Sequence, residues 1–397
     1  MGVNPIADEI EFFNVPEKVN GNEDAVIDIP IDIVSQETNS NESIALLITA
    51  KAVNDSSSID DIASIRIDGK TARFVQVGDT ATAVIIVAAS SINSIELFAG
   101  DAFGDIDLTI RADARDTATV LGSNKGDFGP AKQETIRLKI TPEPDAPILE
   151  LTHDNILAEA SSDTPLGLSL NLVNPAADEQ GMLTIEGLPD EVELTAGQRV
   201  GDDWEVSQDD IADLAIKADS DLQNDLNFTL VLKPSAELNG NTADGAVETI
   251  DVEWYAKGDQ TLSGNYQRDY ISSGSGDDVM TGGLGADTFA FTGEDIGILA
   301  HTDTITDFDV SANTDSIDLS QVLSATNATD ADKQLDLVED GTSLRIDLKP
   351  NEGSVRHHIV LENTTLDDLY GSDATGVSEA DIIQKMLDDQ NLILSSN

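Results

Sequence analysis

The sequence contains no cysteine. That excludes disulfides, a thiol nucleophile and any cysteine-based zinc site. Basic residues are scarce, 21 Lys and Arg against 76 Asp and Glu in 397 residues, and the formal net charge is −55. A field of that sign repels phosphate backbones and anionic lipid surfaces, so neither nucleic-acid binding nor membrane insertion is expected. Aromatic residues make up only 4%, which disfavours a sugar site built on ring stacking. The four histidines, His153, His301, His357 and His358, show no H-E-x-x-H spacing, which disfavours a zinc peptidase. No apolar run reaches the roughly 18 residues that a membrane-spanning helix needs. The opening Met1 to Pro5 lacks a basic stretch followed by an apolar one, so no Sec signal peptide is expected there. Gly274-Ser275-Gly276 lies inside a repeat and is not a nucleophile elbow. With no catalytic set in view, the chain reads as a non-enzyme.

What is present is enough to fold. Hydrophobic residues make up 40%, within the range of globular chains, and the length suggests two or three domains. Asp outnumbers Glu by 52 to 24. Asp disfavours helix interiors and favours turns and cation sites, so divalent cations are the natural counter-charge. Calcium is the obvious staple for a secreted chain that has no disulfides.

Short runs with period-2 alternation fill the first 260 residues. Ala25 to Ile33 places Ile27, Ile29, Ile31 and Ile33 on one face. Ser64 to Asp68, Thr82 to Val87, Ser94 to Phe98, Ile106 to Arg111 and Glu134 to Ile140 continue the pattern. Without long amphipathic helices between them, these runs predict an antiparallel β-sandwich over 1–145. Thr141 to Pro147 holds three prolines in seven residues and reads as a linker. A second strand-rich block, 146–257, predicts a second sandwich, with Trp204 and Trp254 in its core.

From Gly258 a nine-residue repeat appears. Gly282 to Ala290 fits G-G-x-G-x-D-x-U-x, where U is a large apolar residue, at every fixed position. Ser273 to Thr281 fits with Ser273 in place of Gly. Gly264 to Ser272 keeps only Gly264, Asp269 and Ile271. A nine-residue period gives each repeat one tight turn and one short strand of a parallel β-roll. Glycine supplies positive φ, and Asp269, Asp278 and Asp287 aim carboxylates to where backbone carbonyls of turn residues such as Gly276 and Gly285 also converge. Calcium would then join each turn to its neighbour on the same side, with Ile271, Met280 and Phe289 filling the interior. The region past the repeat is mixed. Its clearest feature is a helix capped by Ser378 with Asp381 three residues on and an apolar stripe of Ile382, Ile383, Met386 and Leu387.

These repeats resemble the RTX family, calcium-binding repeat proteins exported by type I secretion. Asp303 to Ser320, with the acidic and apolar C-terminus, resembles the secretion domain of the family's large surface adhesins. Gly21-Asn22-Glu23-Asp24, Gly187-Leu188-Pro189, Trp204-Glu205-Val206 and Pro144-Asp145-Ala146-Pro147 resemble the Ig-like, cadherin-like tandem domains of such adhesins. The resemblance implies two Ig-like β-sandwiches, 1–145 and 146–257, then a β-roll with a small mixed cap over 258–397. It also implies an extracellular, cell-surface protein, handled by the type I machinery, that binds a peptide or carbohydrate on a target cell. The alternative is the tail of an RTX exoenzyme or toxin whose catalytic domain lies upstream.

Two further acidic groups are candidate calcium sites. Asp101, Asp105 and Asp107 surround Gly100 and Gly104 at a strand entrance, as either an ion-binding loop or a solvated acidic turn. Glu23, Asp24, Glu143 and Asp145 flank the proline-rich linker, where either calcium or solubility alone accounts for them.

Overall fold

The computed structural model describes residues 7, 9–36, 42–54, 57–59, 62–87, 91–120, 123–160, 163–218, 224–272, 274–293, 300–311, 314–350 and 354–395. Ser273 of the middle repeat lies outside them. The chain is mainly β and forms two compact units. Unit 1 comprises Met1–Asp145 with Val173–Glu179 and Glu237–Ala243. Unit 2 holds the rest.

The main sheet of unit 1 runs in the order Lys18–Asn22, Lys132–Thr141, Gly104–Val120, Glu42–Ala52, Thr80–Val87, Val75–Val77. Only the Lys18–Asn22 pairing is parallel along this path. Smaller sheets built on Val26–Ile29 and Asp32–Ser35 share one core with it, in which Ile27, Ile29, Ile33, Leu46, Leu108 and Leu138 are buried. The alternation over 25–33 is therefore real, but one continuous strand is not. Pro30 has no N–H to give a ladder, and the chain changes sheet there.

Unit 2 is organised around Asn155–Glu159. This strand pairs in parallel with Glu248–Tyr255 on one side and with Asp269–Ser272 on the other. The sheet continues in parallel through Thr288–Ala290 and Ser316–Asp318 to Leu392–Ile393. A second parallel ladder joins Thr261–Ser263, Val279–Thr281, His301–Ile305 and His357–Leu361. Successive repeats thus alternate between two ladders, and each partner on a ladder lies two repeats away.

Two cores share the long sheet. Leu157, Ile271, Phe289 and Ile317 point into one, together with Leu262, Met280 and Ile305 of the second ladder. Ile156, Ala158, Tyr270 and Ala290 point into the other, together with Trp254. Trp254 is fully buried and meets Phe228 edge-on at 5.8 Å, whereas Trp204 is half-buried against the same core. The sheet crosses position 257/258 without a break, so the boundary expected there falls inside one compact unit. Helix Glu379–Asp388 starts where the capping signal places it. Ser378 Oγ accepts from Asp381 N at 3.3 Å, and Ile382, Ile383 and Met386 are buried.

Candidate metal centre

In each repeat the apolar residue faces inward and fixes the strand, and the aspartate two residues earlier is held at the turn. This stacks the aspartates in two columns. In the first, Asn155 Nδ2 donates to Asp269 Oδ1 at 2.7 Å, Asp269 N to Asp287 Oδ1 at 2.9 Å, and Asp287 N to Asp315 Oδ1 at 3.1 Å. In the second, Gln260 N donates to Asp278 Oδ1 at 2.6 Å and Asp278 N to Asp303 Oδ1 at 2.9 Å. That column ends at His357, whose Nε2 lies 3.0 Å from Asp303 Oδ2 in full burial.

The turns leave no room for side chains at the glycines that face these columns. At Gly283 (φ 101°) a Cβ would sit 2.1 Å from the Asn265 carbonyl oxygen, and at Gly285 (φ 149°) 1.9 Å from that of Gln267. Carbonyl oxygens of one turn are thereby pressed onto the turn eighteen residues on. Beside them Asp287 Oδ2 is buried and accepts no hydrogen bond. Burial, reinforced by the charges of Asp315, Asp269 and Asp307, pushes the Asp287 carboxyl up to about 7. Burial likewise raises Asp315 to about 6, and raises Asp269.

A buried carboxylate oxygen without a donor, among carbonyls and further carboxylates, is an oxygen-only set suited to a hard divalent cation. Asp269, Asp287 and the turn of Gly285 would hold calcium on the first column, and Asp278 and the turn of Gly276 on the second. Among the described residues, no three His, Cys, Asp or Glu side chains cluster closely enough to hold an ion by themselves. Backbone oxygens are therefore an essential part of any such set.

The other candidates fare differently. Asp105 and Asp107 lie on strand Gly104–Val120 rather than in a loop, and Asp107 pairs with Arg137 at 2.7 Å. Asp101 instead accepts from Asn174 Nδ2 at 2.7 Å. The three do not form one ion-binding loop, because strand pairing carries Asp107 to a guanidinium. Asp101 belongs electrostatically with the linker group. Burial pushes Glu23 up to about 7, with Asp145, Asp24 and Asp101 adding to it. Burial also raises Asp145, followed by Asp101, Asp24 and Glu179. Glu143 contributes its backbone N–H to Glu23 Oε2 at 2.9 Å, and its side chain accepts from Asn241 Nδ2 at 2.8 Å.

Sequence reading missed Asn155, Asp303, Asp315 and His357 as column members. A signal was present for three of them. Asn155-Ile156-Leu157, Asp303-Thr304-Ile305 and Asp315-Ser316-Ile317 keep the polar-x-apolar rhythm of the repeat after the nine-residue spacing has lapsed.

Residues 256–289 match the RTX calcium-binding nonapeptide repeat. RTX calcium-binding repeats are present in this chain. Such repeats bind calcium. No curated protein matches the chain. Among solved structures, the AlgE6R3 subunit of the Azotobacter vinelandii mannuronan C5-epimerase is 27% identical over 34% of this chain and 73% of its own, with a TM-score of 0.20. Human mucin-like protocadherin EC1-2 is 13% identical over 63% of this chain and 100% of its own, with a TM-score of 0.28. AggA, the major subunit of aggregative adherence fimbriae type I of Escherichia coli, is 15% identical over 36% and 99%, with a TM-score of 0.22. Scores this low carry neither a fold nor a function across to this chain. Among the described residues, no helix is long and apolar enough to cross a membrane.

Proposed function

We propose that the chain is a segment of a calcium-dependent, non-catalytic adhesin that works outside the cell and is delivered by a type I secretion machine. Unit 1 carries an Ig-like module that contacts a peptide or carbohydrate on another cell or surface. Residues 258–397 form a calcium-braced β-roll with a secretion cap. The observation that carries this reading is the RTX repeat over 256–289, whose Asp287 Oδ2 is buried without a donor. The absence of cysteine and the charge of −55 suit a chain that is exported unfolded and meets its counter-ions outside. Glycan and peptide arrays probed with the full chain test it. Specific hits that vanish in EGTA support the reading, and an array with no calcium-dependent hit overturns it.

A further inference from the structure

The outer face of the main sheet of unit 1 carries more basic than acidic side chains, against the acidic excess of the chain as a whole. Inward residues of its strands fill the core, and the residues between them point out. Register places Lys18, Arg137, Asp107 and Lys51 side by side on four adjacent strands. Two residues along from Arg137, Lys139 stands opposite Asp105; in the other direction, Arg111 stands opposite Leu47. Arg137 is paired with Asp107 at 2.7 Å and Arg111 with Asp113 at 3.6 Å. The ammonium groups of Lys18, Lys51 and Lys139 are exposed and have no carboxylate partner among the described residues. Among the described residues this face carries six cations, Lys18, Lys51, Arg111, Arg115, Arg137 and Lys139, against three carboxylates, Asp105, Asp107 and Asp113, and on a chain of net charge −55 that local excess attracts anions.

Next to the cations lies a row of hydroxyls. Thr135, Thr109, Thr49 and Thr82 are in register on four neighbouring strands, with Thr109 and Thr135 Oγ1 atoms 3.0 Å apart. At strand spacing the row extends over roughly 15 Å. Beyond it Val75, Val77 and Val84 remain 66%, 78% and 63% exposed, apolar ground on which the C–H faces of sugar rings can rest. No aromatic side chain stands on the outer face of these four strands. That removes the stacking on which single-stranded nucleic acid binding relies. A strand face spanning several strands suits a long polymer better than a small molecule, which needs a concave site.

We propose that this face binds an acidic polysaccharide, with Lys18, Lys51 and Lys139 meeting carboxylates or sulfates spaced along the polymer and the threonine row meeting its hydroxyls. The inference rests on the adhesin reading and names the chemistry of its ligand. Surface binding of the full chain to immobilised hyaluronate tests it, at one fixed calcium concentration and across a salt series. Neutral dextran, duplex DNA and polyglutamate serve as comparison surfaces. Hyaluronate binding should weaken with salt. It should fall about tenfold in the Lys51→Gln, Lys139→Gln double variant, which removes the charges without setting new carboxylates opposite Asp107 and Asp105, and persist in a Lys217→Gln, Lys333→Gln control on unit 2. Both variants change exposed side chains and should keep the wild-type melting temperature. No binding to hyaluronate, equal binding by the double variant, or equal affinity for DNA or polyglutamate would overturn the inference. Calcium-induced folding, followed by circular dichroism in the same samples, separates the two readings. If that folding holds while hyaluronate binding fails, only the ligand assignment falls.

Discussion

The backbone N–H of Asp269 donates to the Oδ1 of Asp287, eighteen residues later, at 2.9 Å. The second oxygen of that carboxylate is buried without a donor. Half of the carboxylate thus ties one turn to the turn two repeats before it, and the other half is the natural place for a cation.

Replacing Asp287 with Ala should therefore lower calcium affinity by at least about tenfold, since it removes the oxygen as well as the bond to Asp269. Asp373→Ala should leave affinity unchanged. Asp373 is exposed, and its hydrogen bonds to Thr375 hold its carboxyl below the usual carboxylate range. Calorimetric titration of the two variants decides the matter, and equal losses would mean that the column does not hold the ion.

Calcium should also govern folding. A ligand at a hundredfold excess over its dissociation constant stabilises the fold by about 2.7 kcal/mol per site. Without it, the Asp269–Asp287–Asp315 column keeps raised carboxyls in a dry setting. Thermal unfolding in EGTA and in millimolar calcium should show a higher melting temperature for unit 2 with the ion, and superimposable curves would contradict this.

Protonation of His153 should cost unit 2 stability in acid, against the raised carboxyls of Asp287 and Asp315, whose uptake of protons favours the folded state. Burial lowers this imidazole from 6.5 to about 4, against the opposing effect of its contact with the Pro165 carbonyl. The folded state keeps it neutral where the unfolded chain would protonate it. Its contribution is fully present above pH 6.5 and is lost as pH falls from 6.5 towards 4, by about 2 kcal/mol at around pH 5. The fall in urea midpoint from about pH 7 to pH 5 should lose its His153 component in His153→Gln, which cannot protonate. An identical pH slope for the two proteins counts against the assignment.

Residues 146–257 alone should be less stable than 146–397. Cutting at 257 strips the Asp269–Ser272 partner from Asn155–Glu159, exposes Leu157, and takes Tyr270 from beside His153. Exposure of Leu157 by itself costs about 2 kcal/mol. Chemical denaturation of both fragments in calcium measures the difference, and matching midpoints would show that the shared sheet contributes no stability.

Much of this architecture was legible in the sequence, for identifiable reasons. Strands with one wet face, such as Ser64–Ile67 and Ile95–Phe98, announce themselves by alternation. Asn155–Glu159 does not, because it is buried along its whole length and Asn-Ile-Leu-Ala-Glu has no polar face to alternate with. Missing that strand concealed the join at 257/258. Asp269, Asp278 and Asp287 were readable because glycine turns and apolar residues nine apart fix their register. The partners of Asp107 and Asp101 depend on which strand lies alongside, Lys132–Thr141 for the first, and on a loop more than seventy residues away for the second. Local sequence has no record of such neighbours.

The parallel course of Asn155–Glu159 and Asp269–Ser272 has a mechanical consequence. A pull applied upstream of the first strand and resisted downstream of the second would load their ladder from opposite ends. The evenly spaced bonds of a parallel pair would then be sheared together instead of being peeled open one after another. Under such a pull, the strand that sequence reading missed is the one through which the force would pass.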